Sequence, residues 1–206
     1  MKVILVNGSP HENGCTNRAL REIETQLKKE GIDSEIYWIG TKVQGCIGCF
    51  YCREKGKCVF DDNLSDFISK AQEADAFVFG SAVYFASATG SITAFMDRLF
   101  FSGRKYLLNK PAASIVSCRR GGASEAFAQM NMYYTITNMP VISSQYWNQV
   151  HGFTPADVEK DFEGLQTMRT LGSNMAWILK CIESGKKNGI EAPILESQIM
   201  TNFINK

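Results

Sequence analysis

The chain alternates short apolar, β-branched runs with stretches of helical periodicity, and that alternation decides its fold class. "KVILVN" (2–7) is apolar almost throughout and stops at Gly8-Ser9-Pro10, the mark of a strand buried on both faces of a parallel sheet. Residues 16–30 follow with Leu20, Ile23 and Leu27 on one helical face and Gly31 as the stop. "SEIYWI" (34–39), "AFVFG" (76–80), "PAASIVS" (111–117) and "MPVIS" (139–143) read as four further strands. Helices are expected between them. One is capped by Asp61-Asp62 and carries Leu64, Phe67, Ile68 and Ala71; one over 89–101 buries Ile92, Phe95, Met96 and Leu99; one spans 123–137. A long helix over 156–185 has an apolar stripe from Leu165 to Ile182, with Cys181 on its apolar side and expected in the core. Five strand–helix units specify an α/β domain with one parallel sheet covered on both faces. No linker or repeat divides it, so residues 1–189 form one domain and 190–206 an extended tail.

Such sheets bind ligands beyond the carboxyl ends of their strands, so the loops after each strand carry the functional information. Bulk properties narrow the classes. A net charge of +1 offers nothing to nucleic acid. No apolar run approaches the roughly 18 residues of a membrane span. The run Val3–Val6 is too short for a signal peptide. A cytoplasmic protein is expected, and there seven thiols, an odd number, are free, catalytic or metal-bound rather than paired.

The first loop, "NGSPHENGCTNRAL" (7–20), sets Gly, Ser, Thr and Asn between a strand and a helix. Backbone N–H groups and the helix dipole there suit a phosphate, with Ser9, Thr16 and Asn17 as neutral donors. The glycine spacing of dinucleotide-binding turns is absent, and no lysine follows Gly14 as in nucleotide triphosphatases. Cys15 has Arg18 three residues on, the wrong spacing for a cysteine phosphatase. A lysine-free loop rich in hydroxyls and amides suits the phosphate of flavin mononucleotide (FMN).

Two later loops complete a candidate site. "GSAVYFASATGS" (80–91) puts Tyr84 and Phe85 just past a strand end, where an aromatic can cover a flat heterocycle or merely cap the core. In "SCRRGGAS" (117–124), Gly121 and Gly122 allow close backbone approach. Arg119 and Arg120 are either surface cations or the positive charge for a reduced flavin or a nucleotide phosphate. His151 and Trp147 fall in the irregular segment 144–156. The histidine either reaches the site or lies in a surface turn; the tryptophan either covers a cofactor or seals an interface. Cys118 reads as a buried thiol.

The loop 44–62 gathers Cys46, Cys49, Cys52 and Cys58 at C-x2-C-x2-C-x5-C spacing. Four thiolates this close suit a [4Fe–4S] cluster better than a structural zinc, which pairs two separated knuckles. Free or redox-active thiols beside a flavin are the competing reading, and zinc or a purely structural role the third.

"GSPHENGCT", "GSAVYFASATGSITAFMDR" and "SCRRGG", in this order, resemble the NADPH-dependent FMN reductase family, in its flavodoxin-like branch that includes the iron–sulfur flavoproteins. The resemblance covers nearly the whole chain. It implies a five-stranded sheet of order 2-1-3-4-5, FMN phosphate at Ser9, His11, Thr16 and Asn17 with Cys15 in the same loop, and the isoalloxazine at Ala82, Val83, Tyr84 and Phe85 and at Ser117, Cys118, Arg119, Arg120, Gly121 and Gly122. The cysteine motif resembles the cluster motif of iron–sulfur flavoproteins. Many members have Asn where this chain has Cys15, and the usual Ser-Pro-Val-Tyr is here Ser-Ala-Val-Tyr; neither change removes a backbone donor. The family's activity implies an FMN-dependent oxidoreductase with NAD(P)H as electron donor, passing electrons to a small-molecule or protein acceptor, and a homodimer or homotetramer with sites near the interface. The rivals are a redox sensor and a flavodoxin-type electron carrier, the latter disfavoured because such carriers are strongly acidic.

Overall fold

A computed structural model of the chain describes residues 1–197, 199 and 201. The apolar run at the N-terminus is strand β1 (Lys2–Asn7), and the chain returns through α1 (Cys15–Lys29) to β2 (Asp33–Trp38). After the cysteine segment, which holds the short helix α2 (Tyr51–Lys55), come α3 (Asn63–Glu73), β3 (Ala76–Tyr84), β4 (Ser87–Ala88) and α4 (Gly90–Ser102). The remainder is β5 (Ala112–Cys118), α5 (Ala123–Thr135), β6 (Gln149–His151), α6 (Pro155–Val158) and α7 (Phe162–Lys187). The sheet runs β2-β1-β3-β5-β6, all parallel, with the two-residue β4 antiparallel on the end of β3. The five parallel strands follow the doubly wound order expected from the sequence; β4 is the addition.

Strand alternation divides the apolar side chains between two cores. Ile4, Val6, Phe77 and Phe79 point to one face and pack with Phe67 of α3, Phe95 of α4 and Tyr134 of α5. Val3, Leu5, Val78 and Ile115 point to the other and pack with Leu20 and Ile23 of α1 and Leu171 and Met175 of α7. Each such fully buried side chain contributes about 1.5–3 kcal/mol of transfer free energy. The sheet is thereby fixed as a rigid platform whose carboxyl edge carries the loops.

Three expectations are corrected. The fifth strand is Gln149–His151, not residues 139–143, where Val141 makes a lone bridge to Ala112. The ladder positions beside Val116–Cys118 are occupied by Gln149–His151. The helix expected over 156–185 is two: α6 opens with a Thr154–Asp157 capping box, and Asp161 then caps α7 by accepting from the Gly164 amide. Cys181 is exposed rather than in the core. Residues 191–197 form neither helix nor strand; residues 198, 200 and 202–206 of the expected tail lie outside those described.

Candidate functional site

The loops after β1, β3 and β5 meet at one sheet edge. In the first, Asn7 is buried and its side-chain oxygen accepts from the Ser9 amide, while its amide nitrogen donates to the Glu12 carbonyl. Ser9 Oγ accepts from the His11 amide, and Trp38 Nε1 donates to the Ser9 carbonyl at 2.9 Å. These bonds shape the turn from within and leave the start of α1 open. Gly14 is its N-cap, no side chain caps the helix, and its first turn holds no acid. Uncapped amides at the positive end of a helix dipole form an anion site. Ser9, Thr16 and Asn17 are buried beside it, and His11 is exposed on its rim.

Thr16 joins this loop to the one after β5, for its hydroxyl lies 2.8 Å from that of Ser117. The close fit depends on Gly80, where a β-carbon would stand 2.8 Å from Thr16 Cγ2. Thr89 ties in the third loop: its hydroxyl donates to the Gly8 carbonyl at 2.9 Å and its amide to Ser81 Oγ at 2.9 Å.

Ala82, Val83 and Tyr84 belong to the extended end of β3, which turns back into β4 through Phe85 and Ala86. Both turn residues are left-handed, at φ 50° and 61°. Each costs about 1–2 kcal/mol for a residue with a β-carbon, so the hairpin is held by its surroundings. Gln129 Oε1 accepts from the Ala88 amide and the Ser87 hydroxyl. Gly122, at φ 85°, packs so closely that a β-carbon there would lie 2.7 Å from Ala86 Cα. Phe85 is fully exposed and Tyr84 about half so, at 48%; the aromatics project from the edge and do not cap the core.

Ser117 and Cys118 are buried at the end of β5, and Arg119, Arg120 and Gly121 are exposed beyond it. The Gly152 amide donates to the Cys118 carbonyl at 3.0 Å, and Cys15 Sγ donates to the Gly152 carbonyl at 3.7 Å. Burial pushes both the Cys15 and Cys118 thiols up, so they are poor thiolates at neutral pH. His151 is at the same edge. Its amide donates to Asp161 Oδ2 at 2.6 Å and its ring Nδ1 lies 3.6 Å from the same oxygen. Trp147 is exposed and packs on Tyr146 with centroids 5.4 Å apart.

The cysteine loop leaves this edge. It folds along α4, whose Arg98, Phe101 and Ser102 share the wall of a cavity of about 90 Å³ with Cys46, Cys49, Cys52 and Cys58. Thr89, tied to the first loop, and Arg98, on the cavity wall, stand nine residues apart along this helix, roughly 14 Å at 1.5 Å per residue. All four are free, and among the described residues no three Cys, His, Asp or Glu side chains are drawn together as a ready-made ligand set. The donor set still fits a cluster: four thiols line one cavity together with the apolar Ile47, Phe50, Val59 and Phe60 and the three α4 side chains, and no carboxylate or histidine competes on its wall. Sequence reasoning missed Arg98. Its side chain is 1% exposed and bound to Asp62, Cys58 and Gln44. The signal was a charged residue on the buried face of α4, between Phe95 and Leu99.

The fold is that of the flavodoxin-like α/β proteins. A flavodoxin from the domain Archaea superimposes with a TM-score of 0.60 at 19% identity, covering 87% of this chain and 99% of that one. RosB, solved with 8-demethyl-8-formylriboflavin-5′-phosphate bound, superimposes with a TM-score of 0.70 at 14% identity, covering 100% of this chain and 94% of RosB. Within that class the chain belongs to the NADPH-dependent FMN reductase family, whose model matches residues 1–154. An iron–sulfur flavoprotein of Methanocaldococcus jannaschii is 32% identical over 194 residues, 89% of this chain and 100% of the relative.

Proposed function

We propose that the protein is an FMN-dependent NAD(P)H oxidoreductase that also carries a [4Fe–4S] cluster on Cys46, Cys49, Cys52 and Cys58. The observation that carries the flavin reading is the uncapped, acid-free start of α1, locked by the Thr16–Ser117 bond to the neighbouring loop. The phosphate is held there by the first amides of α1 with Ser9, Thr16 and Asn17, and by His11 and Cys15 at the rim. Backbone groups of Ala82, Val83, Tyr84 and Phe85 receive the isoalloxazine from one side, and Ser117–Gly122 from the other. Bound FMN supplies hydride acceptance and onward electron transfer. The chain orients the ring, and Tyr84 and Phe85 shield it. Exposed Arg119 and Arg120 supply positive charge for an anionic ring and for the nicotinamide nucleotide. The exposed aromatics Phe85, Tyr146, Trp147 and Phe153 support assembly as a homo-oligomer with the site near the interface.

The test is reconstitution with FMN and with riboflavin. FMN is expected to bind one per chain and riboflavin at least tenfold more weakly, since it lacks the phosphate. Equal affinity for the two would defeat the phosphate site.

A further inference from the structure

Arg98 is an unusual burial. Its side chain is 1% exposed inside an apolar helix face, where a guanidinium is costly unless its donors are met. Four of its five N–H groups are taken. Nη1 and Nη2 fork onto Asp62 at 2.7 and 2.9 Å. Nη1 also donates to the Gln44 carbonyl at 3.2 Å, and Nε donates to Cys58 Sγ at 3.3 Å. The Phe60 ring lies under the guanidinium carbon at 5.1 Å.

The partners stand in a telling order along the chain. Gln44 opens the cysteine segment, Cys58 is its last thiol, and Asp62 closes it as the cap of α3, accepting from the Leu64 amide. One side chain therefore pins both ends of a segment that is otherwise largely exposed and holds a single short helix. Bidentate Arg–carboxylate pairs fix geometry as well as charge.

We infer that Arg98 is the positioning residue of the cysteine centre: it clamps residues 44 and 62 together, and its Nε–H bond to the Cys58 sulfur raises the reduction potential of the cluster held there. The inference rests on the cluster reading. Hydrogen bonds and positive charge at ligand sulfurs stabilise the more negative, reduced state. Gln44, Cys58 and Asp62, the hydrogen-bond partners of the Arg98 side chain, lie outside the loops after β1, β3 and β5, so FMN is expected to stay bound when the clamp is broken.

The experiment compares wild type, Arg98→Lys and Asp62→Asn after anaerobic loading with iron and sulfide. Iron, sulfide and FMN per chain are measured, with the cluster's midpoint potential by spectroelectrochemistry. Arg98→Lys keeps the charge but loses the fork and the Nε–H bond. It is expected to retain FMN, to lose at least half its iron, and to shift the remaining cluster toward lower potential by about tenfold in the redox equilibrium, about 59 mV for one electron. Asp62→Asn keeps the α3 cap and the Cys58 bond while weakening the fork and removing the negative charge beside Arg98, so iron falls while the potential of the remaining cluster does not drop; it carries the test if Arg98→Lys fails to fold. Wild-type iron content and potential in both variants would overturn the inference and leave the cluster reading standing. A wild type that takes up FMN but no iron would remove the cluster reading and the inference together.

Discussion

The hydroxyls of Thr16 and Ser117 lie 2.8 Å apart, both buried, and join the first turn of α1 to the carboxyl end of β5. Thr16→Val keeps the shape and strands the Ser117 hydroxyl, at a cost of about 1–3 kcal/mol. Urea unfolding of the flavin-free protein should show this loss, and fluorescence titration should show FMN binding weakened at least several-fold. Thr16→Val combined with Ser117→Ala should recover part of the stability and none of the affinity.

Gly122 tests the hairpin. Its φ of 85° and the 2.7 Å approach of Ala86 Cα leave no room for a β-carbon. Gly122→Ala is expected to cost about 1–2 kcal/mol in backbone conformation alone and to push the Phe85–Ala86 turn aside. FMN affinity should fall at least tenfold by the same titration. Gly90→Ala, where nothing lies within 4 Å of the added atom, should change little.

Burial orders the thiols. In reduced, cluster-free protein the exposed Cys46, Cys49 and Cys181 should alkylate first, and Cys118, only 7% exposed and with its thiol pushed up by burial, last. After anaerobic loading with iron and sulfide, peptide mass spectrometry should find Cys46, Cys49, Cys52 and Cys58 protected and Cys181 still reactive. Equal labelling of Cys46 and Cys181 after loading would contradict the ligand set.

Most of this architecture is legible in the sequence because buried parallel strands announce themselves as apolar runs, as "KVILVN" and "AFVFG" do. The last strand does not. "QVH" has one apolar residue, Val150, and becomes a strand only because β5 offers it an edge, whereas "MPVIS" looks like a strand and pairs at a single position. The loops at the sheet edge were legible from their glycines and hydroxyls. The path of the cysteine loop was not, because it is set by Arg98, a tertiary partner that helical periodicity treats as an exception on an apolar stripe.

One pH effect follows from the edge of the sheet. Glu35 on β2 is bridged by Lys2 at 2.8 Å and Lys70 at 2.7 Å, and these bonds, Lys2 first, hold its carboxyl below the ordinary 4.5. A depressed folded-state value means the contribution is complete above the unfolded value and is lost as pH falls through the folded one. Glu35→Gln should therefore cost up to about 1 kcal/mol at neutral pH. The gap to wild type should narrow in urea unfolding as pH falls below the ordinary carboxylate range.

The central claim is that the three loops hold FMN where a reduced nicotinamide nucleotide can deliver a hydride. Anaerobic titration of the FMN-loaded protein with NADH and, separately, with NADPH tests it most directly. Bleaching of the yellow flavin absorbance by at least one of the two nucleotides is the predicted result. A fully loaded flavoprotein that stays oxidised under excess of both would contradict it.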